Sequence, residues 1–153
     1  MSIDLPLVAG SEVSLETLVE NYFKTEDVEY RCEKCSGTHA SSSRSMQVPP
    51  SVLALHVKRF SPNLSTNRIE KRSDRVVFPE VWSPKWPGTN QYRLHSFVNH
   101  VGASAATGHY VAFARGDEGW QEFDDSRVRA ISSFSQLPPN AHTGGYLFFY
   151  VRE

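Results

Sequence analysis

Cysteine is nearly absent: of 153 residues, only Cys32 and Cys35 carry a thiol. Two thiols this close in sequence cannot build the disulfide framework that braces small secreted domains, so a reducing, intracellular compartment is expected, with cytosol and nucleus left unseparated. Neither sign of charge is in excess. Sixteen Lys and Arg stand against seventeen Asp and Glu, a formal net charge of −1, and the basic residues are scattered, so there is no electrostatic footprint for nucleic acid. No apolar run approaches the roughly 20 residues a helix needs to cross a bilayer, and no secretory signal is visible at Met1. Neither nucleic acid nor a membrane is therefore an expected partner. No repeat or linker divides the sequence. A chain of this length buries roughly two thirds of its unfolded surface, and residues 1–153 read as one domain.

The apolar pattern is mostly that of strands. Ile3, Leu5 and Leu7 alternate as in a short strand. One helix is clear: Ser14 is a good N-cap, Glu16 suits the first turn, and Leu15, Leu18, Val19, Tyr22 and Phe23 fall on one face that belongs to the core. Val28 to Arg31 predicts a strand leading into the knuckle Cys32–Gly37, with a serine-rich turn over 40–44 and a returning strand over 45–48. Val52 to Phe60 is apolar and β-branched at intervals, as a buried strand is. The polar stretch 61–74 reads as an exposed loop or a surface hairpin. Strands are expected over 75–79, 91–101 and 145–152, one helical turn over 132–136, and loops over 103–107 and 138–144. Trp82 and Trp86 are expected to anchor the irregular 80–90 connection. The fold class is α+β, predominantly antiparallel β.

The chemistry concentrates in Gly108–Arg115 and Trp120–Asp125, two β-prone arms around Gly116–Gly119. A hairpin follows from the glycines. With Gly116 and Asp117 as loop residues, antiparallel register sets His109 opposite Asp124, and a turn one residue different substitutes Asp125. Opposed Cβ atoms are about 5 Å apart, so a carboxylate can hold one imidazole nitrogen and leave the other free as a base. A surface ion pair accounts for the same pattern.

Cys32 and Cys35, spaced C-x-x-C, suit one side of a structural zinc ion, which needs about four ligands. His39 has the spacing of a third ligand, and nothing supplies an obvious fourth. A redox dithiol is the competing reading, but Cys32 follows a strand rather than opening a helix.

These motifs together resemble the ubiquitin-specific proteases. The match runs in order through Tyr30–Cys35, Pro49–Phe60, Tyr92–Leu94, His100–Gly102, Gly108–Tyr110, Trp120, Phe123–Asp125 and Gly145–Tyr150. The resemblance implies the palm and fingers portion of a papain-like cysteine protease fold, with fingers about 28–48 and palm about 52–153. It implies His109 as general base, Asp124 as orienting acid and Asp125 as a supporting neighbour, with Gly108, Tyr110 and Phe60 along the channel for the ubiquitin tail and the 61–74 loop over it. In that family a second C-x-x-C earlier in the sequence completes the zinc site, and an N-terminal segment carries the nucleophilic cysteine. Neither is in this chain. The implied partners are ubiquitin or ubiquitinated proteins and the N-terminal half of the catalytic domain. No cofactor is needed for the chemistry, and the chain alone is expected to be inactive. A non-catalytic ubiquitin-binding or scaffolding domain is the alternative.

Overall fold

Alternation decides the central strands. In Val52–Lys58, Leu53, Leu55 and Val57 are fully buried while the residues between them face outward. The computed structural model describes residues 1–7, 12–88 and 91–153. Its first elements are β1 (Ser2–Pro6), β2 (Glu12–Ser14), α1 (Leu15–Phe23), β3 (Glu26–Glu29) and β4 (His39–Ser42). Then come β5 (Val52–Lys58), β6 (Phe60–Asn63), β7 (Arg68–Lys71), β8 (Arg75–Val77) and β9 (Val81–Trp82). The second half contains β10 (Tyr92–Val101), β11 (His109–Gly116), β12 (Gly119–Asp124), β13 (Arg127–Ile131), a 3-10 turn (Phe134–Gln136), α2 (Asn140–Gly144) and β14 (Gly145–Arg152).

One large sheet runs β1-β5-β14-β10-β11-β12-β13, with β9 added against β10. It is antiparallel except where β1 lies parallel to β5. Phe97 of β10 sits at its centre, stacked on Phe113 of β11 at 4.7 Å and on Phe148 of β14 at 5.8 Å. The helix covers this core with Leu15, Leu18 and Val19. Its start is capped as expected, the Ser14 hydroxyl accepting from the Thr17 N–H at 3.0 Å. Trp82 and Trp86 do anchor their loop, packing edge-on at 5.4 Å and against Tyr92. Thr89 and Asn90, at the end of that connection, lie outside the described residues, as do residues 8–11.

Two sequence expectations shift, and of the two forms expected for 61–74 the hairpin is the one found. The fingers pair β3 with β4, so the return strand is His39–Ser42 rather than 45–48. The tight knuckle reverses the chain at once, Ser36 donating to the Cys32 carbonyl and Cys32 to that of Gly37, both at 2.9 Å. The 61–74 stretch is largely a hairpin, β6 against β7, with Asn63 capping its turn through the Ser65 and Thr66 amides. Residues 140–144 form α2 rather than loop, because the carbonyls of Pro138 and Pro139 accept the first helical N–H groups.

Arg59, between β5 and β6, ties these pieces together. It is fully buried and donates to the carbonyls of Gly145, His142, Arg72 and Asp74. Burial pushes its pKa down to about 10, an effect that Asp74 opposes and Arg72 reinforces, so it remains a cation at neutral pH.

Candidate active site

His109 opens β11 and Asp124 closes β12, so both stand at one end of the sheet. The imidazole Nε2 lies 2.5 Å from Asp124 Oδ1. Among the described residues, Nδ1 makes no hydrogen bond. The two side chains are 45% and 40% exposed, open to a reactant yet seated on the sheet. The hydrogen bond to Asp124 holds the imidazole above its usual titration range; desolvation opposes it, and the charges of Asp124 and then Asp125 add smaller upward contributions.

The route to this contact differs from the sequence expectation. The β11–β12 turn residues are Asp117 and Glu118, with Gly116 paired to Gly119, and the ladder continues to Ala112 opposite Phe123. Extending that register places His109 two residues out of line with Asp124. A shift of two preserves the face, so the imidazole meets the carboxylate diagonally, within reach of a side chain of its length. Asp125 begins the tight turn into β13 and takes φ +51°, a left-handed conformation that Asp tolerates better than most residues. One donor atom from each of His109, Asp124 and Asp125 lies within 4.8 Å of the others.

Beside the dyad runs a floor of rings. His100 packs between Phe60 at 5.3 Å and Tyr110 at 4.8 Å, and Tyr146 touches Phe60, Tyr110 and His56. Tyr146 reaches this face through a bulge, since Val98 pairs with Leu147 and Asn99 with Gly145, leaving Tyr146 as the extra residue. Burial raises its hydroxyl pKa, and Tyr110 and Asp4 add to the effect. Gly108 is glycine for a steric reason: a Cβ there would stand 2.1 Å from His100 Nε2 and 2.8 Å from the Val101 carbonyl. His56 forms a second imidazole–carboxylate pair, Nδ1 to Asp4 Oδ1 at 2.8 Å across the β1–β5 register.

The cysteine knuckle is a separate feature. Cys32 is part-buried and Cys35 exposed. Backbone hydrogen bonds from Cys35 and Lys34, and then the Cys35 thiol, hold Cys32 below its ordinary pKa, which favours the thiolate that a metal needs. Among the described residues, no group of three or more potential ligands includes these cysteines. His39 pairs with Glu29 at the knuckle end of the β3–β4 ladder, and among the described residues it forms no ligand group with them. The donor set is thus two thiols, which fits half of a tetrahedral zinc site.

A family model described as ubiquitin carboxyl-terminal hydrolase matches residues 10–150. The chain belongs to this family. Ubiquitin carboxyl-terminal hydrolase 12 of Salmo salar is 31% identical over 172 residues, an alignment covering 99% of this chain and 46% of that protein. Ubiquitin carboxyl-terminal hydrolase 21 of Homo sapiens is 34% identical over 154 residues, covering 93% of this chain and 26% of that protein. Among solved structures, a chain of the yeast SAGA DUBm is similar with TM-score 0.80 and 28% identity, over 98% of this chain and 34% of its own length. A chain of the SAGA DUB module of Ubp8, Sgf11, Sus1 and Sgf73 bound to monoubiquitin gives 0.79 at 28% identity, with the same coverage. This chain therefore spans less than half the length of these relatives. Its fold is the palm and fingers portion of the papain-like ubiquitin-specific protease architecture.

Within this family fold, Gly108, His109, Tyr110, Asp124 and Asp125 share one end of the sheet, and Phe60 joins them through His100 and Tyr146. Cys32 and Cys35 stand apart in the fingers. Sequence reasoning did not assign Tyr146 or His100 to the site. Both lay in motifs already noted, but no periodicity announces a bulge or a buried imidazole between two rings.

Proposed function

We propose that this chain carries the general base and the orienting acid of a thiol-dependent deubiquitinase. The observation that carries this is the His109–Asp124 contact, with Nδ1 left for a reaction partner. Asp124 holds the proton on Nε2 and stabilises the imidazolium, and Nδ1 takes the proton from a cysteine thiol supplied from outside these residues. The resulting thiolate attacks the carbonyl at the ubiquitin C-terminus. Asp125 supports the imidazolium by its charge. Gly108, Tyr110 and Phe60, with Tyr146, line the path of the ubiquitin tail, and the monoubiquitin in a similar solved structure supports ubiquitin as partner.

Cys32 and Cys35 form one half of a structural zinc site whose other ligands lie outside this chain. Zinc there would cross-link finger strands and take no part in the reaction.

The test is hydrolysis of a fluorogenic ubiquitin C-terminal substrate. The 153-residue chain alone is expected to be inert, and to turn the substrate over once joined, in cis or in trans, to a segment carrying the family's cysteine motif. His109→Ala in the joined protein should then abolish turnover. Turnover by the chain alone, or by the joined His109→Ala protein, would refute this assignment. Both cysteines lying in the knuckle favours the alternative of a non-catalytic ubiquitin-binding domain, which predicts ubiquitin binding but no turnover after joining.

A further inference from the structure

The β6–β7 hairpin and β10, the strand paired with the one bearing His109, belong to different sheets, yet one side chain joins them. Lys71, the last residue of β7, donates from its ammonium to the His100 carbonyl at 2.8 Å and to the Gly102 carbonyl at 2.5 Å. Those carbonyls flank Val101, and Val101 is the β10 residue paired with His109. The clamp thus grips the strand end against which the imidazole-bearing residue is laid. His100 completes it from the inside. Its ring is 4% exposed, its Nδ1 has no hydrogen-bond partner, and its Nε2 occupies the space that any side chain at 108 would need. An imidazole so placed is a spacer. Burial and the Lys71 charge hold it below its ordinary titration range, which keeps it neutral beside the ammonium.

A lysine on a surface hairpin would ordinarily extend into water. Lys71 is instead half-buried, its pKa lowered first by desolvation and then by Arg59. Two carbonyls take two of its three protons and compensate that desolvation.

We propose that Lys71 is a positioning residue for His109, pinning the end of β10 on both sides of Val101 so that the imidazole meets Asp124. It touches no reacting atom and acts through backbone. This inference rests on the proposed role of His109.

The experiment is an NMR titration of the 153-residue chain with labelled histidines, which reads His109 and His100 separately. Lys71→Met keeps most of the stem and removes the donors. Removing a positive charge can only raise a neighbouring histidine's pKa, whereas loss of alignment with Asp124 lowers that of His109, so the sign separates the two effects. Lys71→Met should lower the His109 pKa by at least half of the drop caused by Asp124→Asn, raise that of His100, and add nothing when combined with Asp124→Asn. Lys71→Arg, which keeps charge and donors, should restore the parent value. An unchanged or raised His109 titration in Lys71→Met, with only hairpin amides shifted, would leave Lys71 a mere tether and overturn the proposal. Should Lys71→Met fail to fold, Lys71→Leu, which also removes the donors, carries the same prediction. If Asp124→Asn itself leaves His109 unmoved, the dyad fails and with it the proposed function, an outcome distinct from failure of the Lys71 arm.

Discussion

His109 Nε2 meets Asp124 Oδ1 at 2.5 Å although the two residues are not cross-strand partners. The ladder between their strands ends at Ala112 and Phe123, and the imidazole closes the remaining gap diagonally. This makes the contact depend on side-chain direction and on where β11 begins, more than on the hairpin pairing itself. In the joined enzyme, His109→Ala should lose all the rate that general-base catalysis supplies, about two to four orders of magnitude, and more if thiolate formation fails entirely. Asp124→Ala should cost less and Asp125→Ala least, because Asp125 acts only through its charge. Equal losses for the two aspartates in kcat/KM would contradict this ranking.

The dyad also sets a pH dependence. The folded pKa of His109 is raised, chiefly by the hydrogen bond to Asp124. The folded state therefore holds that proton more tightly than the unfolded chain. The resulting stabilisation is complete below the unfolded value of about 6.5 and is lost as pH rises through the folded pKa. Asp74 gives the opposite slope. Its pKa is lowered, first by the hydrogen bond from Arg72, so its contribution is present above the unfolded value of about 3.9 and disappears as pH falls through the folded one. Urea midpoints measured across pH should show the first slope vanish in Asp124→Asn and the second in Asp74→Asn.

Gly108→Ala tests the spacer. The new methyl would stand 2.1 Å from His100 Nε2, closer than any real contact, so strand or ring must move. Overpacking of this kind costs about 1–3 kcal/mol, and His109, the next residue, moves with the strand. Combining it with His100→Ala should recover part of the lost stability in denaturant titrations. Strict additivity of the two substitutions would show that they do not share this space.

Arg59→Met should be the most damaging single change outside the aromatic core. Four carbonyls on β14, α2 and the segment after β7 lose a charged donor at once, and buried acceptors without partners are costly. A loss of about 3–5 kcal/mol is expected by analogy with removing one member of a buried charged pair. A change below about 1 kcal/mol in the urea midpoint, the range of surface substitutions, would show that water replaces the guanidinium.

The chain by itself should hold zinc weakly. Two thiolates leave half of a tetrahedral sphere to be filled, and the strong apparent affinities of structural sites depend on the full ligand set. Metal analysis after dialysis against a mild chelator should find well under one zinc per chain. A stoichiometric ion that survives would mean that further groups of this chain close the site.

The strands, the capped helix and the presence of a histidine–carboxylate pair were legible in the sequence, because each rests on local chemistry. Alternating burial in β5, the Ser14 cap and the glycines around Asp117 and Glu118 act over a few residues, and period-two patterning survives a register error of two. That is why His109 and Asp124 share a face even though the expected turn was displaced. The tertiary structure alone decided what those local rules do not encode. The Tyr146 bulge arises from matching β14 to β10, the Lys71 clamp joins residues about thirty positions apart, and burial of His100 between Phe60 and Tyr110 requires three strands and a hairpin to be in place. Such contacts are fixed by packing between distant segments, and a pattern read along one dimension carries no record of which segments meet.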